Sequence, residues 1–244
     1  MELTTSIPVN FESTNNLLTA DTWLRFLDTQ PLISCDFETA LRYTQSDLDH
    51  FQSIVDSPTS TNLERRAAQA KLRATALDHP SHTVITHLSV AWSSSDAYVF
   101  IIDSDKLLKR ILHWLTHTQT RQIWHNASYD FRQIQHRTGK FPINYEDSQL
   151  LAKCILNHVE TYKAKSGLKD LAGKWFGNWA ISADNFSISQ MYEPHVLEYS
   201  AIDSCATFKL WQSMQSYLQE TYHEPTYPTH ASREFRDEHP EALL

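Results

Sequence analysis

The chain has 244 residues, is 41% hydrophobic and 20% charged, and carries a formal net charge of −8. That is ordinary globular composition, enough for a sizeable core, while only four glycines rule out a Gly-rich phosphate loop of the GxGxxG or GxxxxGK(S/T) type. The three cysteines, Cys35, Cys154 and Cys205, are far apart and form no CxxC pair, which excludes a disulfide framework and a zinc knuckle.

Residues 1–30 read as a lead-in with a short helix near Asp21–Leu27, stopped by Pro31. Leu32–Phe37 is a short buried strand that runs into acids. Residues 42–80 change character and become polar, with two helical stretches at roughly 45–56 and 61–78, so they are expected to form a helical hairpin inserted between strands. Strands are expected at Val84–Trp92 and Ala97–Ile102, joined by a serine-rich turn at Ser93-Ser94-Ser95-Asp96. A helix over about 104–117, a strand at Arg121–Trp124 and a helix over Ser128–Arg137 that ends at Gly139 come next. Further helices are expected at Ser148–Asn157 and Leu168–Phe176. The last long helix starts after Pro194, which suits the first helical turn, and runs to about Leu218 with Val196, Ile202, Cys205, Phe208, Trp211 and Leu218 as its apolar stripe. Residues 221–244 hold three prolines and little periodicity, and read as a loose tail. Strand, insertion, two strands, helix, strand and helices together imply an α/β fold with a mixed central sheet flanked by helices. The domain lies over 31–220, with 42–80 inserted.

Three short segments carry chemistry. In Asp36-Phe37-Glu38-Thr39, the acids stand two apart at the end of a strand and share a face. In His125-Asn126-Ala127-Ser128-Tyr129-Asp130, Asp130 falls in the first turn of a helix, where the helix dipole favours a carboxylate. In Tyr199-Ser200-Ala201-Ile202-Asp203, Tyr199 and Asp203 stand four apart on one helix face. Four carboxylates brought together repel one another, and two divalent cations offset that charge. Hard oxygen ligands suit Mg²⁺ or Mn²⁺. Asp36, Glu38, Asp130 and Asp203 are therefore the expected metal ligands. Tyr199 is expected to hydrogen-bond an attacking water rather than act as a base, since an ordinary tyrosine titrates near 10.

Taken in order, Asp36-x-Glu38, Asn126-x-x-x-Asp130 and Tyr199-x-x-x-Asp203 resemble the motifs of the DEDD exonucleases. The match is to the tyrosine subgroup: the histidine subgroup places a histidine five residues before the last acid, where this chain has Glu198. The segments Glu146–Ala152 and Gly167–Ala172 resemble the linking helices of the proofreading exonuclease domain of family A DNA polymerases. No polymerase region follows Leu218, so the resemblance is to a standalone proofreading-type enzyme such as some bacteriophages encode.

This resemblance implies a ribonuclease H-like fold and removal of 5′-mononucleotides from the 3′ end of single-stranded DNA, beside a separate DNA polymerase. It implies that Asp36, Glu38 and Asp203 hold one metal, that Asp36 bridges to a second, and that Asp130 meets the second through water. It places substrate contacts at Thr39, Leu41, Asn126 and Tyr129, with Lys169 added from the basic and aromatic run Tyr162–Trp179. Two alternatives accompany it: a ribonuclease D-like enzyme acting on RNA, and a polymerase-binding subunit with little cleavage. The acidic balance argues that any hold on a polynucleotide is local, weak or shared with a partner. With no basic-then-apolar leader and no apolar run of ~20 residues, the expected setting is the cytoplasm, of a host cell if the gene is viral. His113 and His117 form an i, i+4 pair without a third ligand and are expected to be structural or at the surface. Trp92, Trp114, Trp124 and Trp211 are expected in the core.

Overall fold

Alternation along one strand sets the architecture. In β2 (Leu32–Leu41), Ile33, Cys35 and Phe37 are buried in the main hydrophobic cluster, so Ser34, Asp36 and Glu38 point to the opposite face. The computed structural model describes residues 9–43, 45–73, 80, 83–155, 166–176 and 188–221. Before β2 come β1 (Asn10–Thr14) and α1 (Leu17–Leu27); after it come α2 (Gln45–Asp56), α3 (Asn62–Arg73), β3 (Thr83–Ala91) and β4 (Asp96–Ile101). The chain continues through α4 (Asp105–Leu115), β5 (Arg121–Trp124), α5 (Ser128–Thr138), β6 (Tyr145–Asp147), α6 (Ser148–Ile155), α7 (Leu168–Phe176) and α8 (Pro194–Thr221).

The strands form one six-stranded sheet in the order β1-β4-β3-β2-β5-β6. β2, β3 and β4 make an antiparallel meander, while β5 joins β2, β6 joins β5 and β1 joins β4 in parallel, so the sheet is mixed. One face is covered by α1, α4 and α5, whose Leu24, Leu27, Leu107, Ile111, Leu115 and Ile134 meet Ile33, Leu88, Phe100 and Trp124. On the other face lies α8, whose Leu197, Ala201 and Cys205 pack on Ala91, Val99 and Ile101. At the far end of α8, Leu210 and Met214 pack with Leu171 of α7 and Ala152 of α6.

Two strands escaped the sequence reading. β1 is polar (Asn10-Phe11-Glu12-Ser13-Thr14) and lies at an edge, and β6 is three residues long at the other edge. Neither length nor patterning distinguishes such strands from loops. The N-terminal helix is also longer than expected, because Asn16 caps it by accepting from the Leu18 and Thr19 N–H groups at 2.9 and 3.2 Å. The helical pair expected in 42–80 is present as α2 and α3, which pack on each other and bury Phe51 and Ala68, while residues 74–78 of the second expected stretch lie outside the described residues. Thr61 and Glu64 form a reciprocal cap at the start of α3. Of the tryptophans, Trp114 and Trp124 are buried as expected; Trp92 and Trp211 are only half-buried, Trp211 because its indole N–H donates to Glu146 Oε2 at 2.6 Å near the surface.

Candidate active site

β2 and α8 bring the first acids together. Ser34 Oγ donates to the Ser204 carbonyl at 2.7 Å, which pins α8 across the face of β2 that carries Asp36 and Glu38. Asp203, next to that contact, lands beside them. One carboxylate oxygen from each of Asp36, Glu38 and Asp203 lies within 4.8 Å of the others, and among the described residues no other group of three His, Cys, Asp or Glu side chains meets that condition. Just past Glu38 the β2–β3 register slips: Glu38 faces His87 and Thr39 faces Ile85, leaving Thr86 as a bulge whose hydroxyl donates to the Glu38 carbonyl at 3.1 Å. A bulge bends the strand pair and re-aims the residues beyond it, here the Thr39–Leu41 end of β2.

Asp130 comes from the first turn of α5 and is 3% exposed. It stands close enough to Asp36 for the two charges to repel, and the Phe37 backbone N–H hydrogen-bonds its carboxyl. Three of the four expected acids thus form one group, with the fourth alongside Asp36.

Burial and mutual repulsion shape the electrostatics. Burial lifts the Asp36 carboxyl to about 6 despite the nearby Lys169 charge and a hydrogen bond with Glu38. Glu38 is pushed well above the usual carboxylate range by burial and then by the charge of Asp36, and Asp130 likewise by burial and then Asp36. Lys169, from α7, forms an ion pair with Asp203 Oδ1 and holds its ammonium 4.4 Å from the centre of the Tyr199 ring. Burial lowers Lys169 to about 8, against the pull of Asp36 and Glu38. The Tyr199 phenol is raised above its ordinary value by burial and by the charges of Glu38 and Asp36, so it stays protonated at neutral pH.

This donor set fits a hard divalent cation. Glu38 Oε1 and Asp130 Oδ1 are buried with no hydrogen-bond partner, and buried carboxylate oxygens are costly unless something positive meets them. Carboxylates alone, without thiolate or imidazole, suit Mg²⁺ or Mn²⁺.

The expected substrate residues lie on or beside the elements of the site: Thr39 and Leu41 on β2, Asn126 and Tyr129 at the start of α5, Lys169 on α7. Thr39 Oγ1 and the Tyr129 hydroxyl lie 2.5 Å apart, so the end of β2 and the first turn of α5 meet beside the acids. Leu41 ends β2 with 37% of its surface exposed. Asn126 is exposed and sits at φ 59°, in the left-handed region, with its side-chain carbonyl accepting from Ser128 Oγ at 3.1 Å. Lys169 is turned inward onto Asp203 rather than outward. Of the run Tyr162–Trp179, residues 162–165 and 177–179 lie outside the described residues. His113 and His117 stack on each other with centroids 4.1 Å apart, away from the acids.

A family model described as 3′–5′ exonuclease matches residues 80–219. The chain belongs to the 3′–5′ exonuclease family. The matched stretch contains Asp130, Lys169, Tyr199 and Asp203 but begins after β2, so the tertiary structure alone places Asp36 and Glu38 beside them. No curated protein matches by sequence. Among solved structures, NrnC of Brucella melitensis is similar, at 16% identity and TM-score 0.53 over 91% of this chain and 85% of that one. RNase D of Escherichia coli, an exoribonuclease involved in structured RNA processing, matches at 13% identity and TM-score 0.54 over 89% of this chain and 47% of that one. The exonuclease domain of Aedes aegypti Nibbler matches at 12% identity and TM-score 0.56 over 89% and 94%. At such identities these likenesses establish the fold, which is that of the ribonuclease H-like DEDD exonucleases. The exonuclease is a phosphodiester hydrolase of a family that uses divalent metal ions, and one NrnC structure carries bound Mg²⁺. No helix among the described residues is long and apolar enough to cross a membrane.

Sequence reading assigned no role to Asp147. Its carboxylate accepts backbone N–H groups from Asn126 and Ala127, at the entrance to the Asp130 helix. An Asp directly before a helical segment reads as a local cap, and nothing in the sequence shows that it also reaches the start of the helix 20 residues upstream.

Proposed function

We propose that this exonuclease hydrolyses the terminal phosphodiester of single-stranded DNA at its 3′ end and releases 5′-mononucleotides. The observation that carries the reading is the convergence of Asp36, Glu38 and Asp203 within 4.8 Å, with buried, unpartnered oxygens on Glu38 and Asp130. Asp36, Glu38 and Asp203 would hold one Mg²⁺ or Mn²⁺, and Asp36 with Asp130 a second. When bound, two such ions would supply an activated water and offset charge on the departing oxygen. Tyr199, kept as a phenol by its surroundings, donates a hydrogen bond and orients the attacking water. Lys169 holds positive charge at Asp203 and the Tyr199 ring, where the scissile phosphate would approach. Thr39, Leu41, Asn126 and Tyr129 would seat the terminal nucleotide. The net charge of −8 leaves little general attraction for a polynucleotide, which supports action beside a separate DNA polymerase that supplies the rest of the grip.

A labelled single-stranded oligonucleotide tests the chemistry. Mononucleotides should appear with Mg²⁺ or Mn²⁺ and not with chelator, and Asp36→Ala and Asp203→Ala should reduce release to background. Full activity in either variant removes these residues from the reaction. A second reading takes RNA or short oligoribonucleotides as substrate. It is favoured by the fold shared with RNase D and with NrnC, which has been seen bound to pGG. Digestion of matched DNA and RNA strands side by side separates the two: a clear preference for RNA ends the DNA reading and keeps the site.

A further inference from the structure

Helix α5 delivers Asp130, yet it has no cap of its own: its N-cap residue is Ala127, which offers no side-chain acceptor. A helix start leaves backbone N–H groups needing partners. Asp147 supplies them from 20 residues downstream, its Oδ2 accepting from Ala127 N–H at 2.9 Å and its Oδ1 from Asn126 N–H at 3.2 Å. The same Oδ1 accepts from Gln149 and Leu150 N–H at 2.8 and 3.3 Å and so caps α6. One carboxylate therefore serves two helix starts. The parallel pairing of Trp124 with Asp147 puts it there, and Ser148 Oγ ties the same corner by donating to the Trp124 carbonyl at 3.1 Å. Between them lies Asn126 at φ 59°, among the described residues the one non-glycine with positive φ. Asparagine enters this left-handed region more readily than other side chains with a Cβ, and here its backbone N–H is held by Asp147.

We propose that Asp147 is a positioning residue for the reaction. Its carboxylate locks the Asn126–Asp130 turn so that Asp130 stands beside Asp36, and in doing so it sets the affinity of the second divalent-ion position. The inference rests on the reading of Asp130 as a metal ligand. Asp147 touches neither the group of three acids nor the expected substrate side chains; it acts through the backbone that carries them, and its charge is felt at Asp130 as well.

The two jobs of Asp147 are separable. In Asp147→Ser, the short hydroxyl still caps α6 locally through Gln149 and Leu150 but falls short of Asn126 and Ala127. Mn²⁺ is titrated into metal-stripped protein and the free ion is monitored by electron paramagnetic resonance. Wild type should show two classes of bound ion. The serine variant should weaken the second class about tenfold, the lower end of what loss of an outer-shell support does to metal affinity. Its first class should stay within about twofold, and its nuclease rate should fall at limiting Mn²⁺ and recover at saturating Mn²⁺.

The control is Asp28→Ala, which removes a similar carboxylate that accepts from Trp114 Nε1 at 2.7 Å and Thr118 Oγ1 at 2.6 Å on the far side of the sheet. It should lower Tm and leave both Mn²⁺ classes alone. A serine variant that behaves like this control, less stable with unchanged Mn²⁺ binding, overturns the positioning role. A wild type that takes up no Mn²⁺ overturns the metal reading itself, and the positioning role with it. Should the serine variant fail to fold, Asp147→Asn keeps the oxygen that caps α6 and sets an amide NH2 against the Ala127 N–H; unchanged Mn²⁺ binding in that variant likewise overturns the positioning role.

Discussion

At the scale of single residues, the acids are held in a state they would not choose. Asp36 sits at about 6, and Glu38 and Asp130 well above the usual carboxylate range, because burial and mutual repulsion penalise their charges. A carboxyl whose folded value exceeds its unfolded one binds more protons in the folded state, so stability is lost as pH rises through that interval. For Asp36 the interval runs from its ordinary 3.8 to about 6. The metal-free exonuclease should therefore lose thermal stability between about pH 4 and 7, read as a falling Tm in chelator. Asp36→Asn removes one repelling charge, so its metal-free Tm should be flatter over that range and higher at neutral pH; an unchanged profile means that the acids do not strain the fold. Tyr199→Phe keeps the ring under Lys169 and deletes the hydroxyl. It should slow release about 10²-fold, the typical loss for one well-placed hydrogen-bond donor, with Mn²⁺ affinity unchanged. A rate equal to wild type leaves Tyr199 no part in orienting water. The acids and Tyr199 were legible in the sequence because their spacing of two and four matches a strand face and a helix face. The inward turn of Lys169 onto Asp203 was not, since a lysine on a helix reads as solvated until its neighbours are known.

At the scale of elements, the site depends on how α8 is clamped. Its middle lies across β2 through Ser34 and Ser204, and its far half is gripped by α6 and α7 around Leu210 and Met214, both fully buried. Leu210→Ala should cost about 2–5 kcal/mol, the usual range for a buried leucine truncated to alanine. Because α7 also carries Lys169, denaturant melts should show the loss of stability and activity at ambient temperature should fall. A stability change below about 0.5 kcal/mol, the range of neutral surface substitutions, would mean that this end of α8 is not packed as described. The long helices and inner strands were readable from their periodicity and caps, including α5 with its stop at Gly139, φ 70°. The edge strands were not. Asn10–Thr14 is polar because one side of an edge strand meets solvent, and Tyr145–Asp147 is too short to show alternation.

For the molecule as a whole, a negative protein carries a further concentration of negative charge on its central strand, and bound cations relieve it. Ligands that bind only the folded state stabilise it by mass action, about 2.7 kcal/mol at a hundredfold excess over Kd. In a chain of this size each kcal/mol shifts Tm by about 2–4 °C, so saturating Mg²⁺ at neutral pH should raise Tm by about 5–10 °C over chelator. The shift should shrink near pH 5, where protons already neutralise part of the cluster; an equal shift at both values would place the bound ion elsewhere. The sequence by itself determined the chemistry. Oxygen donors at fixed short spacings, on a strand end and two helix starts or faces, can do little else when assembled, and residue types and spacing are local facts. Only the tertiary structure decided that the assembly occurs. β2 lies outside the stretch that matches the exonuclease family, and its acids join Asp203 because strand alternation and the Ser34–Ser204 contact aim them at α8. Only the structure gave Asp147 its reach, since a parallel pairing of β5 with β6 brings residues 20 apart within one hydrogen bond, and no local pattern encodes which strands become neighbours.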